Sequence, residues 1–184
     1  MRFNLSFKIS LIGSSVFLYF FFLGSYLYAQ SPSIKWMTWE QMEAAQKSSK
    51  KKVVVDLYTD WCGWCKRMDA TTFQDPAVIE AINRSFYAVK FNAEYREDIT
   101  FKEKNYKFIP QGSRGYHELA AVIALGKLSY PTFVYLDESM NTIQALPGYR
   151  EPEVFELITN YFGGNYYKTV PFQKFQENYQ KNNK

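Results

Sequence analysis

Cysteine and histidine are nearly absent from this chain: 184 residues hold two cysteines, Cys62 and Cys65, and one histidine, His117. A structural zinc site takes four ligands from cysteine, histidine and carboxylate. The histidine lies more than fifty residues from the cysteine pair, so zinc held within one chain is not expected. Covalent haem attachment needs histidine directly after the second cysteine; Lys66 stands there, and that reading fails. A scaffolding disulfide stabilises chiefly by closing a long loop of the unfolded chain. A bridge between positions three apart closes almost none, so the pair is poorly explained as a staple.

An excess of charge is also lacking. Arg2 and Lys8 sit in an N-terminal stretch outside the expected fold, and without residues 1–29 the count is 20 Lys/Arg against 18 Asp/Glu. Such balance gives no electrostatic case for nucleic acid or an anionic membrane surface. Lys50-Lys51-Lys52, the densest basic cluster, directly precedes an apolar run and reads as a solvated turn. Repeats and low-complexity tracts are missing too. Apolar residues make up 47% and aromatic residues 19%, which supplies a sizeable core and excludes disorder over most of the length. The length suits one domain.

Residues 9–28 are uncharged and rich in Phe, Leu, Ile and Tyr, follow Arg2 and Lys8, and end at Leu27-Tyr28-Ala29. A basic start, an apolar core and a small terminal residue describe a secretory signal peptide. The core is longer than the ~7–15 residues usual for such a segment and reaches the ~20 that span a bilayer. Two readings therefore stand: cleavage after Ala29, or retention of residues 9–28 as an anchor. Both leave residues 30–184 outside the cytoplasm, periplasmic or secreted.

Along the remainder, Thr38-Trp39-Glu40-Gln41 fits a capping box opening a helix to about Ser48. Val53–Tyr58 reads as a buried strand, and a helix begins at the cysteines and runs to about Ala70. Asp75-Pro76 starts a further helix, and Phe86–Asn92 is a second strand. Ile99–Phe101 and Tyr106–Ile109, flanking Lys104-Asn105, are expected to form a β-hairpin; Gln111–Gly115 reads as a loop, and Tyr116–Leu125 as a helix capped by Gly126. Strands at Thr132–Leu136 and Thr142–Ala145, a helix at Pro152–Phe162 and a short tail with Phe172, Phe175 and Tyr179 on one helical face complete the chain. The order is α/β, with central strands wrapped by helices.

A cysteine at a helix N-terminus faces unpaired backbone N–H groups and the positive end of the helix dipole, which favour thiolate. Lowering its pKa from ~8.5 to ~7 raises thiolate at neutral pH from ~3% to ~50%. Nucleophilicity falls at the same time, so attack gains only about three-fold, and the larger benefit is an easily expelled sulfur. Cys62 is thereby expected as the exposed attacking sulfur and Cys65, one turn inside, as the resolving thiol.

Trp61-Cys62-Gly63-Trp64-Cys65-Lys66, after Val53–Asp56, resembles the active-site segment of the thioredoxin superfamily, and more narrowly its envelope members with Lys and Met after the motif, here Lys66 and Met68. The resemblance covers about Trp36 to Phe162. It implies a central mixed sheet flanked by helices, with the β-hairpin as an insertion and the tail as a short docked helix. The implied domain spans 30–163, with the insertion at about 94–115 and the tail at 164–184. It further implies that Asp56 is a buried carboxylate taking the proton of Cys65, that Lys90 pairs with it, and that Tyr130-Pro131 is a cis-proline guiding substrate backbone. Gly148 matches the glycine before the last helix. Trp61 and Trp64 join Tyr130 and Pro131 as the substrate-binding set, with Trp61 packed near the site and Trp64 partly exposed. Gly63-Trp64 replaces the Gly-Pro usual in reducing thioredoxins, which leaves the direction of exchange open. The implied activity is thiol–disulfide exchange with envelope proteins and a redox partner, by a monomer without cofactor. A binding or chaperone module that holds clients without redox turnover is the competing reading.

Overall fold

The computed structural model describes residues 32–182. The N-terminal segment read as signal peptide or anchor lies outside them. Among the described residues no helix is long and apolar enough to cross a membrane.

The chain opens with a two-residue strand, β1 (Trp36–Met37), followed by α1 (Trp39–Ser48). Thr38 caps α1 reciprocally: its Oγ1 accepts the Gln41 N–H, and Gln41 Oε1 accepts the Thr38 N–H at 2.9 Å. Next come β2 (Lys52–Tyr58), α2 (Gly63–Ala70), α3 (Pro76–Ser85) and β3 (Phe86–Asn92). Asp75 starts α3 by accepting the N–H groups of Ala77 and Val78, with Pro76 in the first turn.

β3 leads into a segment of two hairpins, β4 (Ile99–Phe101) with β5 (Lys104–Tyr106) and β6 (Phe108–Gln111) with β7 (Arg114–His117), and a short α4 (Glu118–Ile123). β8 (Thr132–Leu136), β9 (Thr142–Pro147), α5 (Pro152–Gly163) and α6 (Phe172–Asn182) finish the fold. The main sheet runs β1-β3-β2-β8-β9. β1 and β2 pair with β3 in parallel, while β8 is antiparallel to both β2 and β9.

Alternation along the strands divides the core in two. Val54, Ala88, Phe133 and Tyr135 face α2, α3, α5 and α6, meeting Met68, Ile82, Phe155 and Phe175. Val53, Val55, Leu57, Val89 and Phe91 face α1, α4 and the first hairpin, meeting Trp39, Met42, Leu119 and Phe101. Each large apolar side chain so buried is worth about 1.5–3 kcal/mol. This mixed sheet flanked by helices, with a C-terminal helix, is the expected fold class.

Three boundaries differ from expectation. The first hairpin turns at Lys102-Glu103, both at positive φ, two residues before the expected Lys104-Asn105. That register puts Ile99, Phe101 and Tyr106 into the core, and burial outweighs a turn sequence without glycine or asparagine. The stretch read as a loop is the tip of the second hairpin, where Gly112 takes φ +58°. Tyr116 consequently lies in β7, and α4 begins only at Glu118. His117 fixes that start. It is fully buried, its Nδ1 accepts the Leu119 N–H at 3.2 Å, and its Nε2 lies 3.1 Å from the Glu97 carbonyl. Acceptance at Nδ1 assigns the proton to Nε2, and burial holds the imidazole below its ordinary pKa.

Candidate active site

Cys62 and Cys65 form a disulfide. The link between β2 and α2 positions it: the Cys62 N–H donates to the Thr59 carbonyl at 3.0 Å, and Cys62 is the N-cap of α2. Its Sγ accepts the Cys65 N–H at 3.1 Å. That amide is one of the orphan donors of the first helical turn, placed to stabilise negative charge on Cys62 when the bridge opens.

The expected exposure of Cys62 is not seen in this bridged state. Cys62 is 5% and Cys65 3% exposed. The bridge and the Cys65 amide draw the Cys62 sulfur toward the helix, while the two neighbouring tryptophans take up the surface. Trp61 is 49% and Trp64 57% exposed. Trp61 meets Tyr130 edge-on at 5.8 Å and donates its indole N–H to Glu94 Oε2 at 3.1 Å. Trp64 lies against Tyr149 at 5.2 Å.

Tyr130-Pro131 is joined by a cis peptide bond, and Pro131 is buried. β8 begins at the next residue and pairs Thr132 with Leu57, so Pro131 lies toward the end of β2 from which the chain runs to the cysteines. The Pro131 carbonyl accepts the Gly148 N–H at 2.8 Å, with Gly148 at φ +93°.

Asp56 and Lys90 are register partners on the parallel strands β2 and β3. Neighbours across a ladder share a face, here the face covered by α2. Lys90 Nζ lies 2.9 Å from Asp56 Oδ2. Both Asp56 oxygens are buried, and the same ammonium also donates to Asp69 Oδ1 on α2, so Lys90 bridges the two carboxylates. The rings of Trp36, Tyr58 and Phe73 surround that ammonium at 5.2–5.4 Å. Burial raises the Asp56 carboxyl to about 6; Lys90 opposes this and Asp69 adds to it. For Lys90, burial pulls its pKa down, but the charge of Asp56 and the bond to Asp69 leave it above the ordinary value. Among the described residues no cluster of His, Cys, Asp and Glu has a metal-binding arrangement.

The structure thus gathers Trp61, Cys62, Trp64, Cys65, Tyr130 and Pro131 around one end of the sheet, with Asp56 and Lys90 on the buried face beneath α2. Sequence reading passed over Asp69, Arg67, Tyr149 and Arg114. Asp69 and Arg67 sit one helical turn from Cys65 and Trp64, a spacing that could have drawn attention to them. Nothing local marks Arg114, which reaches Trp61 from β7 with Cζ 4.2 Å from the ring centroid.

Comparison with known proteins agrees with this arrangement. The family model described as a thioredoxin-like domain matches residues 39–163. Over 48 residues, 26% of this chain, the sequence is 42% identical to the thiol:disulfide interchange protein DsbD of Pseudoalteromonas atlantica, and the match spans 8% of that protein's length. The fold is similar to that of a thioredoxin-fold protein from Helicobacter pylori, with a TM-score of 0.56, 20% identity, and 73% of this chain and 87% of that chain covered. A thioredoxin from Thermus thermophilus gives a TM-score of 0.51 at 20% identity, covering 70% and 85%. The matched region takes in the cysteine pair, the strands carrying Asp56 and Lys90, and the proline opening β8: the chain belongs to the thioredoxin-like domain family.

Proposed function

We propose that this protein is an extracytoplasmic thiol–disulfide oxidoreductase acting on proteins of the cell envelope. The observation that carries the reading is the Cys62–Cys65 bridge at the start of α2 in a thioredoxin-like domain. The local likeness to a thiol:disulfide interchange protein supports it. Residues 1–29 serve as signal peptide or anchor, as their composition favours, and the folded domain works as a monomer in the oxidising compartment.

In the reducing direction, the Cys62 thiolate attacks one sulfur of a client disulfide. A bond from Cys62 to the client forms, the client S–S bond breaks, and the second client sulfur leaves as thiolate. Cys65 then gives its proton to Asp56, whose carboxyl near pKa 6 suits a base at neutral pH. The Cys65 thiolate attacks Cys62, the first client sulfur departs, and the client has gained two electrons. The reverse sequence oxidises a client. Lys90 limits the cost of holding Asp56 as an anion, while Trp61, Trp64, Tyr130 and Pro131 flank the approaching chain. A module that merely held clients would have no use for a bridge at a helix start in a domain that also buries a carboxylate of raised pKa.

Insulin reduction by dithiothreitol, followed by turbidity, tests the reading. The protein is expected to accelerate precipitation and its double Cys62→Ser/Cys65→Ser form to be inert. Equal rates for the two would remove the enzymatic assignment.

A further inference from the structure

Two arginines stand on the two tryptophans that flank the disulfide. Arg114, from the inserted second hairpin, lies over Trp61 at 4.2 Å. Arg67, one turn along α2, lies over Trp64 at 5.7 Å and Tyr149 at 5.6 Å. All four of Trp61, Trp64, Arg67 and Arg114 are exposed. A guanidinium laid on an aromatic face is held in orientation while the N–H donors along its edge remain available, a geometry matched to a carboxylate.

The partners around the site are unevenly distributed. Its carboxylates are engaged: Glu94 accepts the Trp61 indole N–H, Asp60 accepts from Asn92, Asp69 accepts from Lys90, and Glu151 accepts the Tyr149 hydroxyl. Among the described residues, neither Arg67 nor Arg114 enters an ion pair or donates a side-chain hydrogen bond, whereas Arg84 is taken up by Glu80 and Asn160. The surface flanking the bridge therefore offers two guanidinium groups with no carboxylate at ion-pair distance, while each of the nearby carboxylates accepts a hydrogen bond from another group.

We propose that Arg67 and Arg114 make this site selective for polypeptide clients with Asp or Glu flanking the reactive cysteine. The inference rests on the exchange activity proposed above and names its substrate class. The acidic side chains engage the guanidinium edges on either side of the bridge, holding the client sulfur before Cys62. Arg114 ties this selectivity to the insertion, because β7 carries it to the site.

The test uses the reduced protein and three short peptides, each with one cysteine in mixed disulfide with 2-nitro-5-thiobenzoate and flanked by two Glu, two Gln or two Lys. Cys62 attack forms a bond to the peptide sulfur and expels the coloured thiolate, whose release gives the rate. At low ionic strength the Glu peptide is expected to react about ten-fold faster than the Lys peptide, and salt should compress the ratio. The readout is the Glu-to-Lys ratio within each variant, so a general change in activity does not affect it. Arg67→Gln and Arg114→Gln should each lower that ratio, and together bring it within about two-fold of unity. Equal rates on the three peptides, or a ratio unchanged in the double variant, would overturn the acidic-client assignment and leave exchange standing. Release from none of the peptides would overturn both.

Discussion

Lys90 lies 2.9 Å from Asp56 and also donates to Asp69. One ammonium thus serves a carboxylate buried under the redox helix and another on that helix. Desolvation dominates the titration of Asp56, with Lys90 opposing it through its charge and a hydrogen bond and Asp69 adding to it.

Asp56→Asn should stabilise the protein at neutral pH. Folded, the carboxyl holds its proton up to about 6, against 3.8 ordinarily. Stability therefore falls as pH rises from about 4 through about 6, and the penalty is complete above that window. The displacement corresponds to roughly 3 kcal/mol at most, and Lys90 loses a partner in the variant. A gain of about 1–3 kcal/mol at pH 8, vanishing below about pH 4, is expected from urea unfolding at the two pH values. The same variant should slow resolution by Cys65 at least about ten-fold near neutrality, read by stopped-flow exchange.

Asp69→Asn should move the pH dependence of resolution toward acid. Removing Asp69 takes away a negative neighbour and leaves the Lys90 ammonium to Asp56 alone. Both changes favour the ionised Asp56 carboxylate, so the midpoint near 6 should fall. A pH–rate profile with an unmoved midpoint would show that Asp69 only anchors α2.

Cys65→Ser should leave covalent client adducts on a non-reducing gel, because the mixed disulfide at Cys62 then has no resolving thiol. Cys62→Ser should give few. Cys65 lies inside the first turn of α2, whereas Cys62 is its N-cap. Equal capture by the two forms would reverse the assignment of roles.

Gly115→Ala should destabilise the second hairpin. A Cβ there would lie 2.3 Å from Phe108 Cζ and 2.4 Å from the Ile109 carbonyl oxygen; the side chain can swing away, but the backbone oxygen moves only with the strand. A loss of about 1–3 kcal/mol is expected in urea unfolding. Arg114 is the adjacent residue, so the preference for acidic peptides should fall as well.

Much of this protein is written locally. Thr38 with Gln41 and Asp75 with Pro76 mark helix starts because a cap bonds groups only two or three residues away. The run Val53–Leu57 declares a buried central strand, and cysteines at a helix start place their chemistry in the backbone field of that helix. Spacing between Asp56, Cys62 and Pro131 carried the resemblance to a known family. Other features arise only when distant segments meet. A strand as short as Trp36–Met37 exists because β3 offers it a parallel partner. The first hairpin's turn was set by which register buries Phe101 and Tyr106, and the second hairpin by pairing that its composition hides. Cys62 lost its exposure to the bridge and to the amide of Cys65. Arg114 reaches Trp61, and Asp69 shares the Lys90 ammonium with Asp56, through contacts that no periodicity encodes. Short-range hydrogen bonding and burial patterns belong to the sequence; the competition among donors, carboxylates and aromatic faces at the site is decided by tertiary structure, because proximity in space, rather than along the chain, sets each interaction.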